Sequence, residues 1–174
     1  MTHYLTLLSR WIDRLNRTIG RSAAWLALAM VLVQFIVVVM RYVFGIGSIM
    51  MQEAIIYMHA VLFMMAAADT LLQDEHVRVD IFYASATPHR QALINLLGGA
   101  LLVVPFCLLL AYYAYDYVAI SWSVREGSRE TSGIQGIYLL KSVILVFAAQ
   151  LLLQAASGII KNALFLAGKE ATHG

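Results

Sequence analysis

The feature that most constrains this chain is a set of four long apolar stretches, which cover about residues 23–40, 49–72, 93–115 and 137–160. A bilayer core about 30 Å thick is crossed by roughly 20 mostly apolar helical residues, and each stretch approaches or meets that length. Hydrophobic residues account for 61% of the sequence and charged residues for 13%, whereas soluble domains are about half apolar and about a quarter charged. These observations predict an all-α integral membrane protein, with four transmembrane helices in one membrane domain over residues 22–162.

The residues before the first span, 1–21, show a separate amphipathic pattern. Apolar side chains recur there at helical spacing, at Tyr4, Leu8, Trp11, Leu15 and Ile19. Arginines follow one another on roughly the opposite face, at Arg10, Arg14, Arg17 and Arg21. The pattern predicts an amphipathic helix that lies in the membrane interface, with its arginines toward anionic head groups. The alternative is a juxtamembrane charge cluster that only sets topology.

The basic residues in the loops, the tails and the ends of the spans are distributed unequally between the two sides of the membrane. One side, which includes both termini, holds eight of them, at Arg10, Arg14, Arg17, Arg21, Arg78, Arg90, Lys161 and Lys169. The other side holds four, at Arg41, Arg125, Arg129 and Lys141. Cytoplasmic loops carry an excess of Lys and Arg, so we expect both termini in the cytoplasm and residues 163–174 to form a cytoplasmic tail. The first apolar stretch has no small-x-small cleavage site at its end, so we expect it to be retained as a span.

Polar residues inside or at the ends of the spans are the first candidates for function, because ionisable groups in a membrane are costly. They are Arg41, Glu53, His59, Asp69, Lys141, Gln150 and Gln154. Each helical residue advances by about 100°, so Glu53, His59 and Asp69 lie on different faces of the second span and do not line one channel. We predict that Glu53 pairs with Arg41, that Asp69 reaches the membrane interface or an arginine there, and that His59 and Gln34 hydrogen-bond between helices. Gln150 and Gln154 share a face, which indicates a buried interface.

Two other function classes remain open at this point. A central His59 in four spans is compatible with a haem-bearing anchor of a redox complex, although none of the other histidines lies at matching depth on another span to supply the usual second ligand. A small proton-coupled exporter would instead rely on Asp69 or Glu53. Cys107 is the only cysteine, and no residue set has the spacing of a catalytic, metal or cofactor site, so we expect neither an enzyme nor a cofactor. With 12 Lys+Arg against 10 Asp+Glu, nucleic acid is not an expected partner.

One loop motif resembles a known family. The run from Asp74 to Asp80, DEHVRVD, follows a span that begins near Gln52 and Glu53, and it resembles the hallmark of the small subunits of TRAP (tripartite ATP-independent periplasmic) transporters. The later loop from Ser121 to Glu130, followed by Lys141, is also similar to that family.

The resemblance implies a DctQ-like small permease subunit in the bacterial inner membrane, which is not itself catalytic. In such a system a large multi-span membrane subunit takes up an organic acid or related small solute with a sodium gradient, and a periplasmic solute-binding protein delivers it. The small subunit is then expected to scaffold the large one within the lipid bilayer.

Two loops are candidate contact sites. On the cytoplasmic side, His76, Arg78 and Asp80 alternate with valines, and we predict contacts with lipid head groups or the large subunit; ion pairing within the loop is the alternative.

On the outer side, Arg125 and Arg129 are four residues apart, as are Glu126 and Glu130. This spacing predicts a short helical turn that shows mixed charge to the periplasm. Given the family resemblance, our hypothesis is that this turn docks the binding protein, and a solvated, self-paired surface is the alternative.

Overall fold

The computed structural model describes residues 2–76, 83 and 85–168 of the chain. Within them lie four long helices: α1, Thr2–Val43; α2, Ile49–Leu72; α3, Pro88–Ser123; and α4, Ile137–Leu166. All four are long and apolar enough to cross a membrane. The predicted all-α membrane fold with four spans is therefore confirmed.

The chain reverses direction after each helix. The start of α1 and the end of α4 consequently lie at one end of the bundle, called here the terminal end, and the α1–α2 and α3–α4 loops lie at the other, the loop end. Helices α1 and α2 form a hairpin, and α4 packs against both of them and against α3. Helix α4 thus lies between α3 and the hairpin, and it supplies much of the buried core.

Helix α1 continues without a break through the predicted boundary at residue 21. Its 42 residues correspond to about 63 Å at 1.5 Å per residue, about twice the thickness of a bilayer core. The buried side of its first half is a third face that the amphipathic pattern did not reveal, made of Ser9, Ile12, Asn16, Gly20 and Ala23. These mostly small or polar residues pack against α4 and α2, so the first 21 residues belong to the same helix as the first span. Their position relative to the interface stays a prediction.

Helix α3 contains one π-helical turn, Gly99–Val103. The N–H of Val104 donates to the carbonyl of Gly99, five residues earlier, and the next residue, Pro105, has no N–H with which to continue the α-helical pattern. The wider turn keeps the helix continuous past the proline. Gly99 also allows close packing, because a Cβ there would lie 3.1 Å from Cγ1 of Ile159 on α4.

Candidate functional site

At the loop end, Glu53 on the second turn of α2 binds the α3–α4 loop with both carboxylate oxygens. The Ser128 hydroxyl donates to Oε1, and the backbone N–H of Ile134 donates to Oε2 at 2.6 Å. Gly133 permits this approach, because a Cβ at that residue would lie 2.6 Å from Oε2. We call Glu53, Ser128, Gly133 and Ile134 the Glu53 clamp. The predicted pairing of Glu53 with Arg41 is wrong, because both carboxylate oxygens of Glu53 accept hydrogen bonds from the α3–α4 loop, and Arg41 is exposed on α1.

Lys141, one turn into α4, is held by two groups of the neighbouring elements. Its ammonium group forms a salt bridge with Glu126 and lies 3.9 Å from the centre of the Tyr117 ring. The hydrogen bond from Lys141 holds the pKa of Glu126 below its ordinary value of 4.5. The lysine charge is therefore compensated within the chain, at the point where α4 begins.

The α3–α4 loop does not form the predicted helical turn over residues 125–130. Helix α3 ends in a left-handed residue, Arg125, with φ 47°, and the N–H of Glu126 donates to the carbonyl of Ser121 at 2.9 Å. This is the hydrogen-bond pattern of a Schellman helix end, in which glycine is the usual left-handed residue. Because Arg125 turns the chain out of the helix, Glu126 faces Lys141, while Arg125, Arg129 and Glu130 are exposed.

At the terminal end, polar side chains join α1 to α4 along a line of contacts. We call this line the α1–α4 polar seam, and it consists of Ser9, Asp13, Asn16, Gln154, Ser157 and Lys161. The Asn16 amide donates to Gln154 at 2.8 Å, and Ser157 donates to Asp13 at 2.8 Å. Lys161 forms a salt bridge with the same aspartate. Sequence reasoning missed the α1 half of this seam, although a stripe of small and polar residues at spacings of three and four is the signal that marks it.

Asp69 lies at the same end and is buried, with 7% of its surface exposed. It packs against Gly20, where a Cβ would lie 2.5 Å from the Asp69 Cβ. The prediction that Asp69 reaches the interface or an arginine is therefore wrong, because α1 covers it. Gln150 is buried too, one turn before Gln154, so the shared face of these glutamines points into the chain's own core.

His59 and Gln34 have the opposite placement. Both are exposed on the outside of the α1–α2 hairpin, beside a groove of about 490 Å³ that they line with Met30, Val31, Ile55 and Ile56. Neither side chain hydrogen-bonds a residue that the structure describes, so the predicted helix–helix hydrogen bonds of His59 and Gln34 are not formed among the described residues.

The remaining predicted contact residues that the structure describes are exposed at the terminal end. His76 is exposed, and its Nε2 lies 3.2 Å from the carbonyl oxygen of Ala67, while Arg78 and Asp80 fall outside the described residues. Trp11 and the four arginines of the predicted interfacial helix are exposed on α1. They are Arg10, Arg14, Arg17 and Arg21, and they line a polar groove of about 480 Å³.

Comparison with protein families identifies the family of this chain. The family model for the DctQ component of tripartite ATP-independent periplasmic transporters matches residues 30–164. The chain belongs to the DctQ family. Among curated proteins and among solved structures, none matches it.

This DctQ protein is accordingly the small permease component of a TRAP transporter, as the DEHVRVD motif predicted. The match includes all of α2 and α3, the Glu53 clamp and the exposed pair Gln34 and His59. The α1 half of the polar seam, at Ser9, Asp13 and Asn16, precedes the matched residues.

Proposed function

We propose that this DctQ-family chain is a non-catalytic scaffold that holds the large multi-span subunit of a sodium-driven TRAP transporter in the inner membrane. The large subunit then moves an organic acid or related small solute, which a periplasmic solute-binding protein delivers.

The observation that carries this proposal is the internal use of the charged groups near the spans. Glu53 is bound by the loop, Lys141 by Glu126, and Lys161 by Asp13. Solute sites of secondary transporters are usually built from broken helices whose free ends face the solute, whereas each of the four described helices is continuous. A block of helices joined by its own polar contacts suits a scaffold.

The same proposal places both termini in the cytoplasm, in keeping with the excess of basic residues at the terminal end. The loop end then faces the periplasm, where the exposed Arg125, Arg129 and Glu130 dock the binding protein, with Glu126 fixing the shape of the loop. At the terminal end, the arginines of α1 face anionic head groups, and the loop that begins at His76 and contains Arg78 and Asp80 contacts head groups or the large subunit.

Co-purification tests the scaffold role. A tagged chain, expressed with the other components, is expected to retain one large multi-span membrane protein in a fixed ratio. Vesicles that contain both, supplied with binding protein and a sodium gradient, are expected to take up solute, and vesicles without this chain are not. Uptake by this chain alone, as a stable homo-oligomer, would contradict the proposal.

A charge reversal tests the docking role of the loop. Arg129→Glu is expected to weaken association of the binding protein, and Arg90→Glu, the same change at the terminal end, is expected to leave it unaltered. Equal association of both variants and the wild type would remove the docking proposal.

A further inference from the structure

The exposed pair formed by His59 and Gln34 lies near the middle of the membrane-spanning hairpin. His59 is ten residues after Ile49 and thirteen before Leu72, which corresponds to about 15 Å and 20 Å along α2. Gln34 is nine residues before Val43, or about 14 Å from the end of α1. Because α1 and α2 are antiparallel, the two side chains lie at similar depth.

At that depth hydrocarbon cannot satisfy either side chain. Half of a bilayer core is about 15 Å thick, so neither side chain reaches the interface. Polar groups on spanning helices normally face other helices or a water-filled cavity, because an unpaired polar group in lipid costs several kcal/mol, on the order of a lost hydrogen bond in an apolar solvent. Here both groups point out of the bundle, and neither bonds a described residue.

The surrounding surface is otherwise apolar and well shaped for a helix. Ile56 is 61% exposed and Phe63 71%, on the same side of α2 as His59, and Val31 is 66% exposed on α1 beside Gln34. The groove between the two helices offers room for a ridge of side chains from a third. We call Val31, Gln34, Ile56, His59 and Phe63 the hairpin face.

The exposed side of α3 contrasts with the hairpin face. In the middle of that helix the exposed large residues are apolar, as at Leu101, Leu102 and Leu109. A purely apolar face suits lipid, whereas a face with hydrogen-bonding groups at its centre suits another protein. The hairpin face therefore suits contact with another protein, and the exposed side of α3 suits contact with lipid.

We propose that the hairpin face is the surface on which a transmembrane helix of the large subunit docks, presenting a hydrogen-bonding side chain at the depth of His59 and Gln34. This inference rests on the proposed scaffold function and specifies the side of the chain that performs it. The apolar side of α3 faces lipid in the assembled transporter.

Site-specific photo-crosslinking in the assembled complex tests the surface. A photoreactive amino acid at Ile56 is expected to give a covalent product with the large subunit, identified by mass spectrometry. The same amino acid at Leu102, which is 71% exposed on α3, is the matched control and is expected to give none. A product between two copies of this chain from Ile56, or a large-subunit product from Leu102 alone, overturns the proposal. Failure of the large subunit to co-purify with the wild-type chain overturns the scaffold function as well, which distinguishes the two failures.

A substitution series provides a second readout. His59→Leu combined with Gln34→Leu is expected to lower retention of the large subunit by about three- to thirty-fold, the range for loss of an interhelical hydrogen bond. His59→Gln alone keeps a hydrogen-bonding group and is expected to retain the large subunit. The thermal stability of the isolated chain is expected to be the same for all variants, since neither side chain hydrogen-bonds a described residue. Unchanged retention in the double leucine variant, or a loss matched by a less stable isolated chain, contradicts the inference.

Discussion

Replacing Gly20 by alanine places a methyl group where α1 is in close contact with α2. The added Cβ would lie 2.5 Å from Cβ of Asp69, 2.8 Å from its Oδ2 and 3.0 Å from its Cγ. The Cβ of Asp69 is bonded directly to the backbone of α2, so no change of rotamer moves it away. The two helices must separate instead, and the separation disturbs the packing of α1 on α4 next to the polar seam.

The size of the effect follows from these distances. Carbon atoms in favourable contact are about 3.5–4.0 Å apart, so the helices must move by about 1 Å at this point. Overpacking of this kind costs about 1–3 kcal/mol, and alanine recovers up to about 1 kcal/mol through its higher helix propensity. We therefore expect Gly20→Ala to lower the free energy of unfolding by about 1–2 kcal/mol, which shifts the melting temperature down by about 2–8 °C.

The buried thiol of Cys107 provides the assay, because it is the only cysteine and is 1% exposed. Its reaction with a thiol-specific dye on heating in detergent reports unfolding of the bundle. Gly158→Ala on α4 is the matched control, since a Cβ there meets nothing within 4 Å, and its melting temperature is expected to equal or exceed that of the wild type. Adding Asp69→Gly to Gly20→Ala moves the glycine to the other helix and is expected to restore part of the loss. A Gly20→Ala protein that melts with the wild type would refute the close packing of α1 and α2.

Three further predictions concern the loop end. Glu53→Leu removes the acceptor for Ser128 and for a backbone N–H, and it is expected to cost about 2–3 kcal/mol and to expose the α3–α4 loop to protease; an equally resistant loop would contradict the clamp. Arg125→Gly relieves the left-handed residue and is expected to raise the melting temperature by a few degrees, corresponding to at most about 1 kcal/mol, and a lowered value would argue against the Schellman end. Because the pKa of Glu126 is depressed in the folded chain by Lys141, the ion pair stabilises the fold above pH 4.5 and this contribution is lost as pH falls through the folded pKa. The difference in melting temperature between wild type and Glu126→Gln is therefore expected to be constant at neutral pH, to shrink as pH falls below 4.5 and to vanish once pH is below the folded pKa. A difference that persists in stronger acid would contradict the pairing.

The spans themselves were readily predicted from sequence, because the length of an apolar stretch is a local property set by the thickness of the bilayer. The second predicted span, 49–72, has the same bounds as α2. The continuity of α1 was not predicted, since the change from an amphipathic pattern to an apolar one near residue 21 suggested a boundary there, whereas the helix runs through it. A polar helix continues as a helix when a neighbour covers one of its faces, and α4, more than 130 residues later, is that neighbour.

The pairing of the polar residues was the part that sequence reasoning predicted least well. Glu53 and Arg41 are close along the chain, and Asp69 lies near the end of its span, yet the structure binds Glu53 to a distant loop and buries Asp69 against Gly20. His59 and Gln34 were predicted to hydrogen-bond between helices, yet both are exposed. A helical wheel does not reveal which face of a helix the other helices leave uncovered.

The sequence by itself therefore determined that this chain is a four-span membrane protein and, through the DEHVRVD motif, that it belongs to the DctQ family. Both properties depend on residues that are neighbours along the chain, either in hydrophobic length or in a short motif. Only the tertiary structure decided which polar groups bind one another, which are buried and which face outward. Those outcomes depend on the register and rotation of whole helices, which are fixed by the sum of many contacts between residues far apart in sequence.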